Sequence, residues 1–389
     1  MKVLYFADEL TQSGAIKSFE EVVNSMHDIY GIETVVCTSG YGELNERLND
    51  KGIENTAVGY GSYMLNSPIT WWKIPIKYIL GGIKYYSRKK SSFKSVEENV
   101  DLSSIDLIHI NVNRTDIGVD IASKYHIPVI MHIREFGQDD FKCWSYKRNY
   151  IDYLNKKVTR FIAISEAIKK SWVKRGLDEK KVKVVYNGVA YEKIKAQKPE
   201  SLENSDTLQL VIVGGVIPSK GQLQAIRALA LLPEDIKDKV SLDIIGWSSK
   251  EYFAIVEGEI KKLGLNNKVN ILGAKSDVYD RLQNYHVGLM CSKAEGFGRV
   301  TAEYMHAGLG VIASSCGANP ELIDNRENGL LYEYNNINML AGCIAEYYKD
   351  RALLKKCAVN GKIGAAERYT SAKNAEEIYR QYKSVLNIK

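Results

Sequence analysis

A glycine turn with one carboxylate, Glu295, and a second carboxylate eight positions later, Glu303, mark residues 291–308, CSKAEGFGRVTAEYMHAG. The apolar run before the turn predicts a strand, and a helix that begins directly after such a turn presents free backbone N–H groups that can bind a phosphate. Glu303, about two turns along that helix, would repel a phosphate but can accept hydrogen bonds from ribose hydroxyls. Glu295, in the turn, can meet another polyol. The pattern suits a sugar nucleotide, although an isolated pair of acids with this spacing is more often a solvated helix face.

Two further glycine turns follow predicted strands. In VIVGGVIPSKGQ (211–222), Lys220 stands where the helix starts and can neutralise a diphosphate as a point charge. The order Lys-Gly excludes a Walker loop. In TQSGAIKS (11–18), Gly14 would let the backbone approach a phosphate from the opposite side. This turn has no G-x-G-x-x-G pattern, which argues against an NAD enzyme.

The composition is that of a soluble globular chain of two or three domains. Among 389 residues, 45% are hydrophobic and 26% charged, and the net charge of +6 permits an anionic partner without identifying one. The six cysteines are scattered without a CxxC pair, which favours reduced thiols over zinc or a disulfide framework. The start MKVLYFADEL enters a strand directly, and no apolar stretch reaches the length of a membrane span. We therefore predict a cytoplasmic protein.

Two series of alternating strands and helices predict an α/β fold with two doubly wound parallel-sheet domains. Residues 2–7, 33–38, 106–111, 128–133 and 160–165 provide the strands of the first series. Residues 208–215, 240–246, 268–273, 286–292 and 309–315 provide those of the second. The polar stretch 198–207 between them predicts a linker, which places the domains at 1–195 and 205–371. Ligands of such sheets bind beyond the carboxyl ends of the strands, so a cleft between the domains is the expected site.

The chain resembles the retaining GT-B glycosyltransferases of group 1, which are similar to glycosyltransferase family 4 and include many bacterial capsule and cell-wall transferases. The resemblance covers nearly the whole chain, in family order. It rests on Gly14, His132 in PVIMHIREFG, FIAISEAIKKSW (161–172), VVYNGV (184–189), GGVIPSKGQ, EGFGRVTAEYMHAG and GANPELIDNRENGLLY (317–332).

The resemblance implies two Rossmann-like domains facing a central cleft. The first would bind the acceptor and the second the nucleotide sugar, with the terminal helix, 372–389, returning to the first. It also implies a metal-independent enzyme without a cofactor, whose donor is most often a UDP-sugar and whose acceptor is a glycan or a lipid-linked molecule. No nucleic-acid partner is predicted.

The resemblance also assigns roles by position. Glu303 would bind the ribose, Lys220 the diphosphate, and Glu295 with the backbone of Gly296, Phe297 and Gly298 would face the donor sugar. Glu321 would help to hold the donor. His132 would lie near the acceptor and the anomeric carbon, so that His132, Glu295 and Lys220 form the predicted catalytic set.

Two positions in this pattern leave questions open. Many relatives carry an arginine where this chain has Gly215 in the donor-binding turn, and Arg299 could supply the missing cation. A histidine at the end of an apolar strand, as His132 is, often serves only as a hydrogen-bonded core residue or loop anchor.

Residues 71–94, WWKIPIKYILGGIKYYSRKKSSFK, combine an apolar stripe at helical spacing with seven basic side chains. This composition is typical of a helix at a membrane interface, attracted by anionic lipid, and would suit an enzyme at the inner face of the cell membrane. The alternative is that the stripe packs on the first sheet while the lysines are solvated.

Two other functions stay open. The first is a GT-B nucleotide-sugar epimerase, which needs no acceptor. The second is a catalytically silent subunit that recruits a partner transferase, although this chain retains Glu295, Glu303 and Lys220.

Overall fold

A parallel sheet lies at the centre of each of two units of the chain. The computed structural model describes residues 1–7, 14–65, 74–137, 144–194 and 205–388. One unit comprises Met1–Gly188 together with Ser371–Lys389, and the other comprises Val189–Thr370. The first unit is therefore built from both ends of the chain. Most of the predicted linker, residues 198–204, lies outside the described residues.

The first unit holds a seven-stranded parallel sheet with the strand order β3-β2-β1-β5-β6-β8-β9. A separate antiparallel pair is formed by β4 and β7. The strands are β1 (Lys2–Ala7), β2 (Glu33–Thr38), β3 (Glu54–Ala57), β4 (Met64–Leu65), β5 (Leu107–Ile110), β6 (Val129–Ile133), β7 (Trp144–Ser145), β8 (Arg160–Ala163) and β9 (Val182–Val184). The helices are α1 (Gly14–Asp28), α2 (Glu43–Asp50), α3 (Ile74–Asn99), α4 (Ile117–Tyr125), α5 (Tyr150–Lys157), α6 (Glu166–Lys174) and, from the end of the chain, α15 (Ser371–Val385).

The second unit holds a six-stranded parallel sheet with the order β12-β11-β10-β13-β14-β15. Its strands are β10 (Leu208–Val213), β11 (Val240–Ile245), β12 (Val269–Gly273), β13 (Val287–Met290), β14 (Gly310–Ser314) and β15 (Leu330–Tyr332). Its helices are α7 (Gln222–Ala230), α8 (Glu234–Lys237), α9 (Lys250–Lys262), α10 (Val278–Leu282), α11 (Arg299–His306), α12 (Asn319–Leu322), α13 (Ile337–Lys349) and α14 (Arg351–Arg368).

This architecture confirms the predicted α/β fold with two doubly wound sheets. The apolar runs become strands because both faces of a parallel sheet are covered by helices, so that consecutive residues are buried; the last five residues of β1, for example, are all buried. The sequence pattern missed β3, β9 and β15, which lie at the edges of their sheets. They are short, and β3, with the sequence ENTA, has no buried residue.

Helix α15 packs against α1 on one face of the first sheet. Ala375, Ile378 and Tyr382 are buried there in one apolar cluster with residues of β1 and α1. The last turns of the chain thus complete the core of the unit in which the chain begins.

The strand order reverses between β1 and β5 in the first sheet, and between β10 and β13 in the second. At such a switch point the loops after the two strands diverge to opposite faces of the sheet, which opens a crevice at the carboxyl edge. A ligand site is therefore expected among the residues that follow these strands.

Candidate functional site

Two of the predicted glycine turns meet at the switch point of the second sheet. The turn after β10 carries Lys220, and the turn after β13 carries Glu295. The Lys220 ammonium lies 2.9 Å from a Glu295 carboxylate oxygen, and both side chains are partly exposed. The Lys293 N–H donates to the Ser219 carbonyl oxygen at 2.9 Å, which joins the two turns through the backbone as well. The structure therefore brings together two members of the predicted catalytic set.

Glycine is required where these loops touch their neighbours. Gly317 has a φ of +60°, and a Cβ there would lie 2.3 Å from the Glu295 carbonyl oxygen. Gly221 has a φ of +73°, and its Cβ would lie 2.1 Å from the Cys291 carbonyl oxygen. The Ala318 N–H also donates to the Glu295 carbonyl oxygen at 2.9 Å. Close backbone approaches on both sides thus fix the position of the loop that carries Glu295.

Helix α11 starts at this loop and is held by buried polar side chains. Gly298, in the left-handed conformation, caps the helix. The Thr301 hydroxyl is 3.4 Å from the Asn319 side-chain oxygen, and the Asn319 amide donates to the Ser314 carbonyl oxygen at 3.0 Å. The Ser314 hydroxyl donates in turn to the Ser292 carbonyl oxygen at 2.6 Å. These bonds tie the start of α11 to the ends of β13 and β14, so the helix end is positioned by the sheet.

Glu303 is buried, with 6% of its surface exposed, and it accepts hydrogen bonds from neighbouring side chains. The Tyr279 hydroxyl donates to it at 2.9 Å and the Arg299 guanidinium at 3.1 Å. Burial and the adjacent Glu303 carboxylate raise the pKa of the Tyr279 phenol. Tyr279 was not predicted from the sequence, because its helix α10 carries no motif and its contact with Glu303 spans 24 residues.

Gly215, where the resemblance to the family led us to expect an arginine, is covered by an aromatic ring. A Cβ at this position would lie 3.3 Å from the Trp247 indole, which is itself 62% exposed. The Gln222 amide donates to the Gly215 carbonyl oxygen at 3.0 Å. A longer side chain at position 215 would have to displace the indole, which gives a physical reason for the glycine. Trp247 is a second residue near the site that the sequence pattern did not indicate.

Phe297 lies in the loop before α11, whereas Glu321 lies on the short helix α12. Phe297 is 2% exposed and packs edge-on against Tyr369, with the ring centroids 5.5 Å apart. The Tyr369 hydroxyl donates to the Glu321 carbonyl oxygen at 3.3 Å, and the Glu321 N–H donates to the Ala318 carbonyl oxygen at 2.9 Å. Gly296 lies next to Phe297 in the same loop. The Phe297 ring thus packs inside the protein against Tyr369 and supports the turn that carries it.

In the first unit, His132 is the second-last residue of β6 and is fully buried. Its Nδ1 lies 2.8 Å from Nε2 of His109 on β5. Its Nε2 has no hydrogen-bond partner in the part of the chain that the structure describes. Gly14 is the first residue of α1 and is exposed, while residues 11–13 of its turn lie outside the described residues.

Both histidines are held neutral by their surroundings. Burial, with the positive Arg134 nearby, lowers the pKa of His109 to about 3. Burial lowers the pKa of His132 as well, and Arg134 and His109 act in the same direction. Arg134 donates to the Asn111 carbonyl oxygen at 2.9 Å and to the Asn187 side-chain oxygen at 2.8 Å. A neutral imidazole can present one lone pair or one N–H to a ligand.

Within the described residues, no group of three or more His, Cys, Asp or Glu side chains is arranged to hold a metal ion. The described helices include none whose length and apolar content would suffice to cross a bilayer.

Two family models match consecutive parts of the chain. Residues 17–193 match the model described as Glycosyltransferase Family 4, and residues 193–363 match the model described as Glycosyl transferases group 1.

Individual proteins with known names or structures are similar over most of the chain. The uncharacterized glycosyltransferase MJ1178 of Methanocaldococcus jannaschii is 27% identical over 330 residues, which cover 82% of this chain and 86% of that protein. The UDP-Gal:alpha-D-GlcNAc-diphosphoundecaprenol alpha-1,3-galactosyltransferase of Escherichia coli is 24% identical over 261 residues, covering 64% and 67%. Anabaena Alr3699/HepE in complex with UDP superposes with a TM-score of 0.79 at 20% identity, covering 99% of this chain and all of that one. The same Anabaena protein has also been solved with UDP-glucose.

Proposed function

The chain belongs to the group 1 glycosyltransferases of the GT-B fold, and from this premise we propose a retaining transfer of sugar to a cell-surface glycan. The sugar would leave a nucleoside diphosphate and join a hydroxyl of a lipid-linked or growing glycan. The observation that carries the proposal is the meeting of Lys220, Glu295 and the start of α11 at one switch point. This arrangement places a cation, a carboxylate and the N-terminal end of a helix within one set of loops.

The second unit supplies groups suited to each part of a nucleotide sugar. Lys220 and the N–H groups after Gly298 would bind the diphosphate. The lysine is a cation, and the N–H groups at a helix N-terminus carry partial positive charge. Glu303 would accept hydrogen bonds from the ribose hydroxyls, and Glu295 with the adjacent backbone would contact the sugar. Arg299 would add a second cation and Glu321 would help to hold the donor.

The proposed reaction breaks the bond between the anomeric carbon and a diphosphate oxygen. A bond from the acceptor oxygen to the anomeric carbon forms on the same face of the sugar, and a diphosphate oxygen takes the acceptor proton. Negative charge grows on the leaving oxygens during this step, so preorganised cations and N–H groups lower its barrier. His132 would contact the reacting sugar through its free Nε2. The set needs neither a metal ion nor a cofactor, since Lys220, Arg299 and the helix end supply the positive charge.

We infer a uridine diphosphate donor from the similarity to the Anabaena protein, which was solved with UDP and with UDP-glucose. The similarity to a galactosyltransferase whose name specifies a diphosphoundecaprenol-linked acceptor supports a lipid-linked acceptor here.

A panel of nucleotide sugars tests the donor. UDP-, GDP- and ADP-sugars are compared by thermal shift and calorimetry, and each binder is incubated with and without lipid-linked acceptors. Binding of one base class, followed by acceptor-dependent product with unchanged anomeric configuration by NMR, is expected. Release of an altered sugar nucleotide without acceptor would indicate the epimerase, while binding without any turnover would indicate the silent subunit. Inversion at the anomeric carbon would reject the retaining mechanism.

We further propose that α3 contacts anionic lipid and holds the enzyme at the inner face of the membrane. Its apolar stripe is exposed to solvent and does not pack on the sheet. The exposed fractions are 59% for Ile76, 62% for Ile79, 61% for Leu80, 64% for Ile83 and 54% for Tyr86. Exposed basic side chains adjoin the stripe at Lys77, Lys84 and Arg88. Trp72 and Lys73, also part of the predicted pattern, lie outside the described residues.

The opposite face of α3 explains how an exposed stripe is tolerated. Tyr85 and Lys89 both donate to a carboxylate oxygen of Asp116, at 2.6 and 2.9 Å. Gly81 allows Tyr146 to approach, since a Cβ there would lie 2.2 Å from the Tyr146 hydroxyl. Hydrogen bonds and aromatic contacts thus attach α3 to its own unit, and the apolar stripe on its other face stays available to bind another surface.

Vesicle sedimentation tests this contact. The protein is expected to sediment with phosphatidylglycerol vesicles, and the double variant Ile79→Asp, Ile83→Asp is expected to lose that binding. Lys77→Glu with Lys84→Glu should weaken binding to anionic vesicles but leave the weak binding to phosphatidylcholine unchanged. Ile255→Asp is the matched control, because Ile255 is similarly exposed, at 55%, on α9 of the other unit. Absence of the wild-type protein from the anionic vesicle pellet would reject the proposal.

A further inference from the structure

Four buried side chains form a continuous row from α15 to the end of β6. The Tyr382 hydroxyl donates to the Tyr5 hydroxyl at 3.2 Å and contacts Nδ1 of His109. Nε2 of His109 lies 2.8 Å from Nδ1 of His132. All four side chains are at most 1% exposed. The row ends at Nε2 of His132, which is buried and has no partner among the described residues.

Each bond in this row constrains the next one. A neutral imidazole carries its proton on one nitrogen only, so a histidine that donates from Nδ1 must accept at Nε2. Since the Tyr382 hydroxyl donates to Tyr5, its oxygen accepts from Nδ1–H of His109. Nε2 of His109 then accepts from Nδ1–H of His132. The lone pair of His132 therefore lies on Nε2, where it can accept a hydrogen bond from a hydroxyl.

We propose that Tyr382 and His109 are positioning residues that fix the ring orientation and the tautomer of His132, so that Nε2 presents a lone pair to a substrate hydroxyl. This inference rests on the proposed contact of His132 with the reacting sugar. The inference gives the terminal helix a role in the reaction, because α15 brings Tyr382 into contact with His109, which lies 273 residues earlier in the sequence.

The charged and titratable groups around the row are consistent with a neutral pair of histidines. Tyr5 comes from β1, Tyr382 from α15, and Arg134 follows β6. The Arg134 side chain donates to Asn111 and Asn187 and so remains beside the two rings. Its positive charge disfavours a second proton on either imidazole. It therefore favours the neutral form, in which one ring nitrogen keeps its lone pair.

Nitrogen NMR of the ligand-free protein with ¹⁵N-labelled histidine reads the tautomers directly. Six histidines are present, and His109→Gln and His132→Gln variants assign the two signals. Both histidines are expected to be neutral and to share the Nδ1–H tautomer. In Tyr382→Phe, which keeps the ring and its packing, the tautomer signal of His132 is expected to change. Opposite tautomers in the wild-type protein, or an unchanged His132 signal in Tyr382→Phe, would overturn the inference.

Kinetics supply the second readout. Tyr382→Phe is expected to lower kcat about tenfold with a smaller change in donor KM, because the reacting geometry and not donor affinity is disturbed. Tyr347→Phe is the matched control, since it removes a buried hydroxyl that donates to the Val311 carbonyl oxygen at 3.3 Å in the other unit. An unchanged kcat in Tyr382→Phe overturns the positioning role. If the wild-type protein shows no transfer with any donor, the proposed function fails. The NMR result still shows which ring nitrogen of His109 and of His132 carries the proton.

Discussion

At the scale of single residues, the cations of the predicted donor site are already paired with carboxylates. Lys220 binds Glu295, and Arg299 binds Glu303 at the i,i+4 spacing of one helix. These pairs hold the long basic side chains in place, which reduces the entropy that a ligand would otherwise lose in ordering them. The diphosphate of an arriving nucleotide sugar would then share the cations, while the sugar and ribose hydroxyls would donate hydrogen bonds to the carboxylates.

We expect Arg299→Ala to lower donor turnover nearly as much as Lys220→Ala does. A hydrogen bond to a charged group contributes about 1.5–3 kcal/mol, which corresponds to a loss of roughly ten- to hundredfold in kcat/KM. Steady-state kinetics with the best donor measures both variants. Arg227→Ala, which removes an exposed pair with Glu259 on α7 and α9, serves as the control. Unchanged kinetics in Arg299→Ala would show that the cation missing at Gly215 is not replaced by Arg299.

At the scale of elements, the loops of the proposed donor site depend on backbone contacts that leave no room for a side chain. The Glu295 loop is fixed between Gly221 and Gly317, and α11 starts where that loop ends. The position of Glu295 is therefore set by loop-to-loop packing as much as by its own strand.

Gly317→Ala is expected to lower stability by about 2 kcal/mol and to weaken donor binding, because the new methyl meets the backbone of Glu295. The midpoint of denaturant unfolding and calorimetric donor affinity measure the two effects. Gly258→Ala is the control: Gly258 lies inside α9 with open space around it, so alanine there should stabilise by about 0.5–1 kcal/mol. Donor affinity equal to wild type in Gly317→Ala would contradict this account of the loop.

The attachment of α3 gives a second prediction at this scale. Asp116 is buried, and its carboxylate binds Lys89 at 2.9 Å and Lys147 at 2.6 Å. Asp116→Asn would leave both ammonium groups with Asp120 alone, so we expect a loss of about 3 kcal/mol, at the low end for a broken buried pair.

Chemical unfolding measures this loss. Glu98→Gln removes an exposed pair of α3 with Lys94 and should cost less than about 1 kcal/mol. Equal stability of the two variants would show that the Asp116 cluster does not anchor the helix.

At the scale of the whole molecule, the first unit buries two neutral histidines under the end of the chain. In the unfolded chain a histidine takes up a proton near pH 6.5, whereas burial keeps folded His109 neutral down to about pH 3. Between these values the unfolded state binds more protons than the folded state. The free energy of unfolding must therefore decrease as the pH falls from about 6.5 towards 3.

We expect the wild-type protein to have constant stability above pH 7 and to lose stability steadily in acid. Unfolding midpoints between pH 4 and 8 measure the slope, and His109→Gln is expected to flatten it because glutamine does not titrate. Gly258→Ala, which changes no titratable group, is the control and should retain the wild-type slope. The same slope in His109→Gln as in the wild-type protein would show that His109 is protonated in the fold.

Local pattern alone determined the alternation of strands and helices, the glycine turns with Lys220 and Glu295, and the apolar stripe of α3. These features depend on periodicity and on short spacings, which neighbouring residues dictate. Only the tertiary structure decided that Tyr279 binds Glu303, that Trp247 covers Gly215, and that the stripe is exposed. It also decided that Tyr382 contacts His109. Such contacts depend on how distant segments pack, and side chains that carry no motif of their own give no sign of them along the chain.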